Sequence, residues 1–182
     1  MIRKLIFPAL AIYLLALPLA SQTDGWKKYD NKDGNFAVLF PAEPQDSVNS
    51  SEPGQQSHTL MARHDSAIYT VIYTAHPTGP VDNATYEVFK SAVFKQLSKC
   101  TAGDEQAPTL ALDGYIGHWY HLACDIGQTT VLIDGNLYWG KNYAYAVMVM
   151  YPASVAQPST ETKFWGSFSV LPGENSASAA AN

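Results

Sequence analysis

Apolar and polar residues alternate in short blocks along most of this chain, a period that predicts strands before helices. Asn35 to Phe40 leaves an Asp33-Gly34 turn, is apolar at Phe36, Val38 and Phe40, and stops at Pro41, so it reads as a strand. Trp26 to Tyr29 offers a short strand ahead of it, and Gln45–Ser51 and Ser57–Arg63 read as hairpin arms around Pro53-Gly54. Ala67 to Ala75 holds Ile68, Tyr69, Val71, Ile72 and Tyr73, β-branched and aromatic enough for an inner strand. Three more follow: His118–Asp125, Thr129–Trp139 with Gly135 read as a bulge, and Tyr143–Tyr151 after the turn signal Gly140-Lys141-Asn142. The last of these is apolar at odd and even positions alike, and such a strand needs cover on both sides.

Between Asp82 and Cys100 the period changes. Phe89, Ala92, Val93, Gln96, Leu97 and Cys100 recur at steps of three and four, which predicts a helix capped by Asp82 or Asn83. Cys100 then faces the sheet beneath the helix. A second, short helix after Pro158 brings Phe164, Trp165 and Phe168 as further cover. The expected fold is α+β: an antiparallel sheet covered by helices on both faces, an α/β/α sandwich.

The two ends read differently. Met1-Ile2-Arg3-Lys4 is a basic start, Leu5 to Leu19 is uncharged and mostly apolar, and Ala20-Ser21-Gln22 supplies small residues. That order reads as a secretory signal peptide over residues 1–22, short for a stable span and interrupted by Pro8 and Pro18. An uncleaved anchor is the alternative. The expected single domain is 23–171, and Pro172 to Asn182, with nothing apolar to bury, reads as a disordered tail. The expected location is periplasmic or secreted, with no stable membrane span after cleavage.

Composition then narrows the chemistry. With 11 basic and 16 acidic residues the net charge is −5, and loss of Arg3 and Lys4 takes it to −7, so nucleic acid is excluded as an expected partner. Two cysteines cannot fill a four-ligand zinc site, but outside the cytosol Cys100 and Cys124 are expected to form a disulfide; two separate buried thiols are the alternative. No metal and no cofactor is expected. His118-Trp119-Tyr120-His121 places its histidines on opposite faces of a strand, which suits no shared metal ion. No catalytic motif is present, and Ser167 reads as part of a helix terminus. Asp113, Asp125 and Asp134 recur beside the later strands and read first as strand-end residues, with a converging carboxylate set as the alternative. Tyr115, Trp119, Tyr138, Trp139 and Tyr143 suggest an aromatic binding patch, against the plainer reading of sheet filling.

Gly34-x-Phe36-x-Val38-x-Phe40-Pro41-x-x-Pro44, preceded by Trp26, resembles the opening of PsbP-like domains. Phe164-Trp165-Gly166-Ser167-Phe168 resembles their late helix. The likeness covers nearly the whole exported chain, and it implies the α/β/α sandwich named above, used for accessory binding. The cysteine pair is not part of that pattern. The expected function is therefore a non-enzymatic exported domain docking on a protein partner in the envelope or outside the cell. The alternatives are a small-ligand binder using the aromatic patch, and a hydrolase with an unrecognised carboxylate or histidine site.

Overall fold

A computed structural model of the chain describes residues 25–52, 55–75, 80–97, 99–103 and 105–172. The export segment expected at 1–22, and the expected tail apart from Pro172, lie outside the described residues. The strands β1 (Lys27–Asn31), β2 (Phe36–Phe40), β3 (Gln45–Glu52), β4 (Gln55–His64) and β5 (Ala67–Ala75) come first. Helix α1 (Asn83–Gln96) separates them from β6 (Cys100–Ala102), β7 (Ile116–Ile126), β8 (Thr129–Trp139) and β9 (Tyr143–Pro152). The chain then forms α2 (Glu161–Ser167) and β10 (Ser169–Val170). Seven strands pair antiparallel in the order β3-β4-β5-β9-β8-β7-β6, and β1-β2-β10 make a separate antiparallel sheet.

The expected sandwich, with helices over both faces, is not what forms. Of the described residues 53% are strand and 15% helix, in only two helices. One face of the large sheet, formed by Tyr69, Val71, Tyr73, Tyr145, Val147 and Val149, packs against Phe36, Val38 and Phe40 of the small sheet. Phe164, Trp165 and Phe168 join that cluster from α2 and its C-terminal end. The opposite face, with Tyr120, Leu122, Ile133, Leu137 and Trp139, meets Tyr86 and Phe89 of α1. The physical reason lies in β2, where Phe36, Ala37, Val38 and Phe40 are all buried, so that a strand supplies cover assigned above to a helix. At 7 residues, α2 is two turns long and covers little by itself.

Aromatic rings knit the two sheets together. Phe36 meets Tyr73 at 5.5 Å and Phe168 at 5.5 Å, and Phe164 meets Tyr69 at 5.3 Å and Phe40 at 5.5 Å. Their buried hydroxyls stay inside the protein: Tyr138 donates to the Leu110 carbonyl at 2.8 Å and Tyr145 to that of Gly34 at 2.7 Å. Gly34 leaves room for this, since a Cβ there would sit 2.8 Å from the Phe36 ring and 2.9 Å from Tyr73.

Two local expectations change. Gly135 is no bulge, because pairing runs unbroken through it to both neighbours, Tyr120 of β7 and Met148 of β9. It is glycine because a Cβ would lie 2.8 Å from the Val147 carbonyl oxygen and 2.6 Å from Met148 Cγ. Helix α1 starts as expected, with Asp82 accepting from the Thr85 amide at 2.8 Å in a capping box. It ends at Gln96, however, so Cys100 opens a strand rather than closing a helical stripe.

Candidate functional site: an imidazole over buried acids

The site is built by one hairpin. Gly127, with φ +67°, and Gln128 form the two-residue connection between Ile126 and Thr129, and glycine is the residue that adopts this backbone without strain. From that turn the pairing of β7 with β8 runs without a slip to Ile116 opposite Trp139. His121 therefore lies directly opposite Asp134. Alternation puts both on the face of the large sheet that carries Tyr138, Tyr145 and Tyr151.

His121 Nδ1 lies 2.5 Å from Asp134 Oδ1, and the Tyr151 hydroxyl donates to Asp134 Oδ2 at 2.5 Å. Asp134 is 1% exposed, whereas the His121 side chain is 43% exposed. A buried, doubly held carboxylate thus pins one nitrogen of a ring that is itself partly exposed. With Nδ1–H donating to the carboxylate, a neutral ring keeps its lone pair on Nε2. Burial, against the hydrogen-bonded Asp134, also raises the Tyr151 phenol well above its ordinary range.

A second carboxyl lies below. Glu161, in the first turn of α2, is 3% exposed and accepts from Gln157 Nε2 at 2.7 Å, while its Oε1 has no hydrogen-bond partner. Gln157 also reaches Asp134 Oδ2, at 3.4 Å. Burial pushes the Glu161 carboxyl up to about 7; the Gln157 bond pulls it down, the Asp134 charge pushes it up and His121 opposes that. The Trp119 ring lies beside the imidazole at 6.4 Å and 25°, a stacked arrangement.

His118 points to the other face. Its Nδ1 meets Glu105 Oε1 at 2.8 Å, and Lys90 of α1 reaches the same carboxylate at 2.9 Å. Burial raises the Glu105 carboxyl, yet the Lys90 hydrogen bond and the His118 charge outweigh it and leave the group below its ordinary range. Among the described residues, no group of three or more His, Cys, Asp or Glu side chains is placed to hold a metal ion.

The aromatic residues singled out from sequence do not all meet. Tyr115 lies 5.6 Å from Tyr145, Tyr143 stacks on Tyr145 at 5.9 Å, and Tyr138 stacks on Phe168 at 6.1 Å. Trp139 faces the opposite side of the sheet, 5.3 Å from Phe89, and Trp119 stands beside His121. Adjacent strand residues point to opposite faces, which separates Tyr138 from Trp139. The three aspartates also part: Asp113 and Asp125 are exposed, with Asp125 accepting from Thr130 Oγ1 at 2.9 Å, and only Asp134 is buried. Ser167 closes α2, donating to the Phe164 carbonyl at 2.7 Å and accepting from the Leu39 amide at 2.9 Å.

Cys100 and Cys124 are cross-strand partners on β6 and β7, and their sulfurs are bonded. Among the described residues no helix is long and apolar enough to cross a membrane. Compared with known proteins, the chain matches no family model and no curated protein.

Proposed function

We propose that the protein is an exported accessory domain, periplasmic or secreted, that docks on a protein partner. The observation that carries this reading is the outer edge of the large sheet. There β3, 8 residues long, pairs with β4 alone among the described residues. An edge of that length presents a row of backbone donors and acceptors to which an extended segment of a partner can add as a further strand. Val48, at the middle of β3, is 51% exposed and gives such a segment an apolar contact. The register shift between Ser50 and Glu52 breaks the regularity of one end, a device that restrains pairing between identical edges.

The Cys100–Cys124 bond is compatible with an oxidising compartment and supports the export part of the reading. The test is co-purification from the envelope and secreted fractions with wild-type protein and Val48→Lys. A stoichiometric partner recovered by wild type and lost with Val48→Lys, at an unchanged denaturation midpoint, is the expected result. Recovery of wild type alone from every fraction, or equal recovery by both forms, removes the proposal.

A further inference from the structure

Four histidines among the described residues face a carboxylate, and comparing them isolates one. Asp46 beside His58 is 39% exposed, Asp65 beside His64 is 87% exposed, and Glu105 beside His118 is 33% exposed. Asp134 beside His121 is 1% exposed, and a second donor, Tyr151, holds its other oxygen. An exposed carboxylate swings with its imidazole, but a buried one held from two sides fixes the ring's angle and its tautomer. That is how a general base is positioned: a partly exposed ring with one nitrogen free of the acid, and an orienting acid on the other. The site sits on β7 and β8, at the far end of the sheet from β3, so it is independent of the docking edge.

We propose that His121 is a general base, positioned by Asp134, that hydrolyses uncharged esters. Nε2 takes a proton from water while the water oxygen bonds to the acyl carbon. The carbon–oxygen bond to the leaving group then breaks, the leaving alkoxide or phenoxide takes the proton back from the imidazolium, and a carboxylic acid and an alcohol depart. The substrate class follows from the surroundings. The Asp134 carboxylate lies against the ring and the chain carries a net charge of −5, which disfavours phosphate and carboxylate substrates. The Trp119 ring beside His121 offers an aromatic or aliphatic group a flat contact.

The experiment is hydrolysis of p-nitrophenyl acetate by the disulfide-bonded protein, followed against pH, for wild type, His121→Ala, Asp134→Asn and His118→Ala. Wild type is expected to exceed an equal concentration of free imidazole by about 100-fold or more, the usual reach of a positioned base. His121→Ala should lose that excess, and His118→Ala should keep it. Asp134→Asn should lower kcat/KM by about 100-fold and move the inflection of its pH profile, which a merely structural role would not do. If Asp134→Asn does not fold, Tyr151→Phe, which removes one donor from Asp134, should still move that inflection. A wild-type rate no greater than that of free imidazole overturns the proposal, as does a His121→Ala rate equal to wild type, an equal loss in His118→Ala, or an inflection that stays put.

Discussion

Tyr145 donates its hydroxyl hydrogen to the carbonyl of Gly34 at 2.7 Å, joining positions 111 residues apart. The bond ties the turn before β2 to the central strand of the large sheet, and the phenol that makes it is 1% exposed. Tyr145→Phe keeps the ring against Phe36 and Phe168 and removes the hydroxyl, which serves Gly34 and also meets Tyr115. Stability should fall by about 1–2 kcal/mol, read from the urea midpoint, because the Gly34 carbonyl then stays buried with that donor gone. An unchanged midpoint would mean that water takes the place of the phenol.

The disulfide closes a loop between positions 24 apart. The chain-entropy estimate for such a loop is about 3.5 kcal/mol, so Cys124→Ala should lower stability by an amount of that order, read from the denaturation midpoint. Thiol titration of the unfolded, unreduced protein should find no free sulfhydryl. Two free thiols would contradict the bond.

The Glu161 carboxyl sets a pH dependence whose direction follows from its burial. Facing it are Asp134 on β8, His121 on β7, Tyr69 on β5, Tyr151 on β9 and Gln157 ahead of α2. Its ordinary value is 4.5, and burial raises it to about 7 in the folded protein. Between those values the folded state holds a proton that the unfolded chain has released. The stabilisation is therefore complete below the unfolded value and is lost as pH rises through the folded one, by about 3 kcal/mol in all. Unfolding free energies measured from about pH 5 to pH 8 should decline more steeply for wild type than for Glu161→Gln. Parallel curves would assign the dependence elsewhere.

Gly135→Ala tests the close approach of β8 to β9. The added Cβ meets the Val147 carbonyl oxygen at 2.8 Å, a backbone atom held in the sheet, as well as the more pliable Met148 Cγ at 2.6 Å. Overpacking of this kind costs about 1–3 kcal/mol. Full wild-type stability in the variant would show that the strands separate without penalty.

Much of the hairpin chemistry was present in the chain order. His121 lies six residues before Gly127 and Asp134 six after Gln128, so a two-residue turn there makes them partners. The period of each strand taken singly does not show this partnership, because alternation fixes a face but not a register. Glu161 offered no comparable signal. It follows Pro158 in a short amphipathic segment, and nothing local marks a glutamate that will be covered.

The sequence by itself determined most of the longer strands and the start of α1, because alternation, turn residues and the Asp82 cap act over a few neighbouring positions, but it marked neither β6 nor β10. The tertiary structure alone decided that β2 and β10 form a second sheet across one face, where a helical layer was expected, and that Glu161 comes to lie against Asp134. Those outcomes depend on how distant segments share the space over a sheet face, and on which polar groups that sharing closes off from water.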